Sequence, residues 1–368
     1  MNFVFAYPYS AMLYLFILLV SVLFSFIAQN SKHKIISNLF LFLLILILSS
    51  LAGLRDISVG KDTWAYIRAI NSASNSYSGE LFFTYFEFGF GVLIKILIAI
   101  LREPHYVILF ISLITNTLII KTLWRYRQNY SFSFSVFLYY TLYYFETFNI
   151  LRQYLALSII FWGIKFLFEK KYIKFVIVTL VASSMHGAAI IAITFLPIHI
   201  LVEKKMMLKH KILILFSIIG FLFFPNYIMD LIGLSSTIEK YQTFYIQGGA
   251  GKSQNFGLFF ILRFLIIIFS FYVLKKNGFK NYKFSKFIIL VNLLGTTATM
   301  SGYIIPYAGR VGTYAAFFEI ILWSQLTQIK SKELKFLLKV FFITLSLYLL
   351  YSSLKGSTQG HMPYKVFF

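Results

Sequence analysis

The chain has 368 residues, of which 59% are hydrophobic, 20% aromatic and 12% charged, and Lys plus Arg outnumber Asp plus Glu by 34 to 12. A mean hydropathy of +0.79 excludes a soluble globular domain and predicts an all-α polytopic integral membrane protein. The net charge of +22 does not signal nucleic acid, because the basic residues sit in short connections between apolar runs and no soluble basic domain carries them. The absence of cysteine excludes disulfides, a thiol nucleophile and thiolate metal sites. No metal-binding pattern and no cofactor motif is legible.

Apolar runs recur near 10–28, 36–54, 84–102, 105–122, 132–148, 150–168, 171–185, 187–202, 210–228, 256–274, 284–301, 305–325 and 335–355. Most are long enough for a helix to cross a hydrocarbon core of about 30 Å, and they lack the period-2 alternation of a membrane strand. The first, "SAMLYLFILLVSVLFSFIA", has no basic residue before it and no small-residue cleavage site, so it reads as a retained span. The run near 36–54 is followed by "GLRDISVGKDTWAY", where Arg55, Asp56, Lys61 and Asp62 interrupt the apolar sequence. The segment near 84–102 carries Glu87, two glycines and Lys95, and is expected to be a re-entrant or membrane-surface helix. About twelve spans remain in a single transmembrane domain covering 1–368, with no internal repeat and with long polar connections only near 55–83 and 230–255. The second connection contains "GGAGKS", but without Walker spacing or a strand and helix around it this is a flexible loop.

Basic clusters at Lys32 and Lys34, Lys121 to Arg127, Lys170 to Lys174, Lys204 to Lys211, Lys275 to Lys283 and Lys330 to Lys335 favour the cytoplasmic side. If 84–102 does not span, all of them fall inside. Both termini, the two long connections and the turns near Asn149, Met185 and Tyr303 then face outward. The alternative puts the N-terminus inside, with Lys32 and Lys34 as exceptions, and moves "GLRDISVGKDTWAY" to the cytoplasm.

A charge at membrane depth is costly, at least about 2.5–3.5 kcal/mol on insertion scales, so each one asks for a reason. The chain has three Asp, at 56, 62 and 230. Asn149, Arg152, Gln153 and Ala156 fall at i, i+3, i+4 and i+7, which makes one polar helical face within an apolar run. "SSMHGAAI" sets His186 at a small-residue turn, Arg310 and Tyr314 lie at i and i+4, and Arg263 sits about a third of the way along its run. Ordinary roles compete with functional ones. An Arg near a helix end snorkels to headgroups, Asp56 pairs with Arg55, Asp62 caps a helix at "TWAYIRAI", and Glu87 and Glu319 make interhelical hydrogen bonds. His186 is as readily structural as catalytic.

The order "GLRDISVGKDTWAY", "FEFGFGVLIKIL", "FNILRQYLA", "SSMHGAAI", "GRVGTY" and a terminal "MPYKVFF" resembles the EpsG-type family of bacterial polysaccharide polymerases, relatives of the Wzy O-antigen and capsule polymerases. The resemblance spans nearly the whole chain. It departs where the family more often has Gly-Thr-Asp and this chain has Gly60-Lys61-Asp62, which keeps the carboxylate and removes the hydroxyl.

The resemblance implies polymerisation of undecaprenyl-pyrophosphate-linked repeat units on the outer face of the bacterial cytoplasmic membrane, with no cofactor. The product would be an O-antigen, a capsule or an exopolysaccharide, and candidate protein partners are a flippase and a chain-length regulator. A departing pyrophosphate calls for preorganised guanidinium groups, with Arg152 and Arg310 foremost and Arg55 and Arg263 next. A hydroxyl that attacks must lose its proton to a carboxylate or imidazole, which selects Asp62 and His186. Asp56, Trp64, Tyr66, Glu87, Asn149, Gln153 and Tyr314 complete the candidate substrate-binding set. A transferase adding one sugar to a lipid-linked acceptor has similar outer charges. A polysaccharide flippase or transporter has a similar helix count but normally shows two related halves, and none are visible here.

Overall fold

A computed structural model describes residues 3–74, 86–203, 258–276, 278–300, 309–356 and 359–368. The expected segment near 210–228, the connection near 230–255 with Asp230, the turn near Tyr303 and residues 75–85 of the first long connection lie outside them. Among the described residues the regular structure is helical, apart from an isolated antiparallel bridge between Arg55 and Val366. The chain divides into two compact units, Met1–Ile190 with Trp323–Phe368, and Ile191–Leu322.

The first unit begins with a hairpin of α1 (Pro8–Asn30) and α2 (Lys34–Gly53). Pro8 opens α1, where its missing N–H is no loss. The Ser37 hydroxyl donates to the Ala28 carbonyl at 3.0 Å and ties the hairpin. After the loop Leu54–Asp62 comes α3 (Thr63–Ser74), then α4 (Phe88–Leu101), α5 (Pro104–Arg125) and α6 (Phe132–Tyr139). The chain continues through a π-helical turn, Tyr140–Tyr144, and a short helix, Glu146–Asn149, into α7 (Leu151–Phe168) and α8 (Tyr172–Met185).

The second unit holds α9 (Phe195–Glu203), α10 (Leu258–Lys275), α11 (Tyr282–Met300) and α12 (Gly309–Ala316). Then α13 (Glu319–Leu326) leads back to the first unit, which ends with α14 (Lys332–Leu354) and the terminal segment Gln359–Phe368.

Five described helices, α1, α2, α5, α7 and α14, are long and apolar enough to cross a membrane. Their outer faces are large and apolar, as lipid contact requires: Leu19 is 69% exposed and Phe336 66%. The segment near 84–102 forms a 14-residue helix, which at 1.5 Å per residue rises about 21 Å and falls short of a bilayer core of about 30 Å. The run near 132–148, read as one span, is instead interrupted by the π turn. Three buried tyrosines at that break reach separate partners: Tyr139 donates to Asn116 Oδ1, Tyr140 to the Tyr14 carbonyl and Tyr144 to the Leu48 carbonyl. Unpaired hydroxyls would be penalised at this depth, and the widened turn spreads them over three helices. The run near 305–325 is likewise two helices, α12 and α13, rather than one.

Two packing features position the candidate site. Buried Tyr66, Ile67 and Ile70 on α3 share an apolar core with Phe90, Ile94 and Leu97 of α4, Val107, Ile108 and Ile111 of α5, and Leu151 and Leu155 of α7. This stripe holds α3 flat against the first unit, while Trp64, Arg68 and Ser72 lie on its exposed face. Gly89 brings α4 into close contact with the end of α8, where a Cβ would collide with Ser184 Oγ.

Candidate functional site

The loop Leu54–Asp62 is built around Arg55. Its guanidinium is fully buried and donates through Nε to Thr63 Oγ1 at 3.0 Å, through Nη2 to the Phe148 carbonyl at 2.8 Å and through Nη1 to the Ala52 carbonyl. It also lies over the Phe148 ring at 4.9 Å. Arg55, a candidate for substrate binding, has no exposed edge and joins the end of α2 to the start of α3 and to the segment before α7.

Asp56 does not pair with Arg55 either. Its Oδ1 accepts from the Ser58 amide at 2.9 Å and the Ser58 hydroxyl at 2.6 Å, a turn-forming arrangement. These hydrogen bonds hold its carboxyl below the usual carboxylate range. Gly60 then takes φ +86°, a left-handed conformation that glycine adopts without strain. Asp62 follows immediately before α3, and its carbonyl accepts from the Tyr66 amide at 3.1 Å, so it occupies the capping position read from "TWAYIRAI".

Tyr66, Glu87, Arg152 and the turn after His186 come together in the first unit, with Asp62 one helical turn before Tyr66. Arg152, in the first turn of α7, pairs through Nη1 with Glu87 Oε2 at 2.5 Å, both side chains being less than one-fifth exposed. The other Glu87 oxygen, Oε1, accepts from the Gly187 amide at 3.1 Å, which links it to the His186 turn. The Arg152 guanidinium lies 4.8 Å from the centre of the Phe86 ring. Tyr66 stacks on Phe86 at 6.5 Å and meets Phe90 edge-on at 6.4 Å. Burial pushes the Tyr66 phenol up, the adjacent Arg152 pulls it down, and Asp62 is near enough for its charge to push it up again. Glu87, read as an interhelical hydrogen-bonding group or a substrate ligand, is thus the partner that neutralises Arg152. His186 ends α8 with extended backbone and is half-buried. Gln153, one residue on from Arg152, is buried.

Trp64 is 53% exposed on the outer face of α3 and carries the Arg68 guanidinium 4.3 Å from its ring. In the second unit Arg263 donates to Glu319 Oε1 at 2.7 Å and lies 4.5 Å from the Phe259 ring. This pairing accounts for a buried charge on α10 that snorkelling was one way to explain. Tyr314 is buried and Arg310, on the same helix, half-buried.

The terminal segment is the part that sequence reasoning left without a role. It runs antiparallel to the Arg55 loop: Phe367 donates to the Leu54 carbonyl at 3.1 Å, Asp56 to the Lys365 carbonyl at 2.9 Å, Gly60 to the Gly360 carbonyl at 2.7 Å and Lys61 to the Gln359 carbonyl at 3.2 Å. Asn149, expected at the substrate, instead points its Nδ2 at Gln359 O and Oε1, each at 3.0 Å, and at His361 Nε2 at 3.3 Å. Burial, helped by the Arg55 charge, drives the His361 imidazole down to about 4. The only advance signal for this contact was the place of "MPYKVFF" among the motifs.

Among the described residues no group of acidic and histidine side chains could hold a metal ion. What the site presents is a preorganised guanidinium, a neighbouring carboxylate and aromatic surface, at helix ends of a protein with membrane-crossing helices. These features define a helical membrane protein with a paired arginine and carboxylate packed among aromatic rings. A family model described as the EpsG family matches residues 38–366, and the chain belongs to that family of Wzy-like polysaccharide polymerases and glycosyltransferases. No curated protein and no solved structure matches the chain. Family membership supports a membrane protein of polysaccharide biosynthesis with polymerase-type activity.

Proposed function

We propose that the chain polymerises oligosaccharide repeat units carried on undecaprenyl pyrophosphate, as a multi-pass protein on the outer face of the bacterial cytoplasmic membrane. The observation that carries this reading is the Arg152 guanidinium, held by Glu87 and the ring of Phe86 beside Tyr66 and Asp62. A hydroxyl at the non-reducing end of one lipid-linked unit attacks the anomeric carbon of the growing glycan. The new glycosidic C–O bond forms as the bond from that carbon to pyrophosphate breaks. The bonding pair leaves with undecaprenyl pyrophosphate, and the hydroxyl proton passes to Asp62, with His186 the second candidate. Arg152 stabilises the charge that collects on the leaving oxygen. The positive end of α7, in whose first turn Arg152 lies, adds to the same field. Arg310, in the second unit, is a separate guanidinium candidate that the family resemblance suggests. Trp64 offers exposed aromatic surface to sugar rings, and Tyr66, packed on Phe86 and Phe90, backs Arg152. No nucleotide is needed, because the pyrophosphate linkage is already activated.

The test is chain assembly by purified protein supplied with lipid-linked repeat units. Ladders of increasing length are the expected product. Single additions mean a transferase, and movement of the lipid-linked unit across a vesicle without bond formation means a flippase. Either result overturns the reading.

Orientation has its own check. Ser72 on exposed α3 and Ser331 at the start of α14 are both solvent-exposed, and the chain has no cysteine of its own. In intact spheroplasts Ser72→Cys should react with an impermeant thiol reagent and Ser331→Cys should not. The reverse pattern places "GLRDISVGKDTWAY" in the cytoplasm.

A further inference from the structure

We propose that Gln359 is a positioning residue of the polymerisation site, fixing the loop that carries Asp62 against the short helix that leads into α7 and Arg152. The inference rests on the functional reading above and adds a part of the chain that reading does not use. Gln359 makes both halves of the bridge. Its main-chain carbonyl accepts from the Lys61 amide, the residue before Asp62, at 3.2 Å. The same carbonyl and the side-chain Oε1 each accept from Asn149 Nδ2 at 3.0 Å, and Asn149 lies three residues before Arg152.

Several features make this bridge rigid. Gly360 sits at φ +66°, and a Cβ there would stand 3.1 Å from the Lys61 nitrogen and 3.3 Å from the Gly60 carbonyl carbon. A side chain would therefore be both strained in its backbone and crowded against the loop. Gly60 opposes it, also left-handed, with room for a Cβ denied by Thr63 Oγ1 at 2.8 Å and Asn149 Oδ1 at 3.1 Å. Beyond the bridge the terminal segment is anchored in the body of the unit. Tyr14 donates to the His361 carbonyl at 2.5 Å, Tyr364 donates through its hydroxyl to the Leu51 carbonyl at 3.1 Å, and the Tyr364 amide donates to Ser10 Oγ at 3.0 Å. The loop has charged side chains but few apolar ones to hold it, so the terminal segment supplies the backbone acceptors that its amides need. Loose placement of a general base by even 1 Å lowers turnover steeply.

Two variants separate positioning from bulk. Gln359→Met preserves volume and removes the side-chain acceptor; Gln359→Glu preserves the acceptor. In the chain-assembly assay Gln359→Met should lower kcat about tenfold or more with little change in KM for the lipid-linked unit, and Gln359→Glu should retain most of the turnover. Equal activity in Gln359→Met and the parent overturns the proposal, and so does equal loss in both variants. A second readout does not depend on activity. Met362 is 6% exposed, so a Met362→Cys probe in the cysteine-free chain should label slowly with a thiol reagent and faster once Gln359→Met is added. If the parent makes no polymer, the polymerase reading fails, and the probe decides this proposal alone: unchanged labelling rejects the bridge, and faster labelling upholds it as the element that anchors the loop.

Discussion

Arg152→Lys should lower polymer formation by at least about 10²-fold while the protein accumulates normally, because an ammonium keeps the charge opposite Glu87 but loses the planar fork that engages two phosphate oxygens at once. The comparison with Arg152→Ala is informative in a way that the sequence does not reveal. Removing the guanidinium leaves the partly buried Glu87 carboxylate with the Gly187 amide but without its ion-pair partner, which destabilises the fold. Arg152→Ala is therefore expected to reduce protein abundance as well as polymer, and Arg152→Ala with Glu87→Gln should restore abundance without restoring polymer. Full-length ladders from Arg152→Lys at matched expression would take Arg152 out of the reaction. Arg310→Ala should also abolish polymer, and normal ladders from it would remove the second guanidinium from the scheme.

The second large effect separates the two carboxylates of the opening loop. Asp62→Asn keeps the shape and the capping position before α3 and removes only charge and basicity. It should stop elongation, with a loss of about 10²-fold or more and accumulation of lipid-linked single units, as expected when a general base is lost. Asp56→Asn should retain much of the activity, because its oxygen has only to accept from the Ser58 amide and hydroxyl, which an asparagine Oδ1 also does. The measurement is the length distribution of polymer made by the two variants at equal protein. Near-normal ladders from Asp62→Asn would reduce Asp62 to a helix cap and move the proton to His186 or to water.

Much of this was legible in the amino-acid order because it depends on local rules. Apolar length and the absence of period-2 alternation determine helices in a membrane, since backbone amides have no other partners in hydrocarbon. The 84–102 run carries Glu87 and Lys95 in its apolar sequence, and the helix formed there, Phe88–Leu101, is too short to cross. The motif order marked the family, whereas the i, i+3, i+4 spacing of Asn149, Arg152 and Gln153 suggested a single helical face that the chain breaks at Ile150, leaving Asn149 at the end of a separate short helix. Local rules also misled. A continuous apolar run near 132–148 gives no sign that buried tyrosine hydroxyls must reach three different helices, so the π turn was invisible.

What the tertiary structure decided is which partner each charge meets. By residue type Arg55, Arg152 and Arg263 look alike in or beside apolar runs. Three-dimensional packing buries Arg55 among carbonyls from distant segments, sets Arg152 against Glu87, 65 positions away, and sets Arg263 against Glu319, 56 away. Partners at such separations follow no helical or strand period, so spacing cannot predict them. The terminal segment is the extreme case: its carbonyls satisfy amides of a loop about 300 residues earlier, and since backbone carbonyls are the same in every residue, only the folded chain shows which amide each one meets.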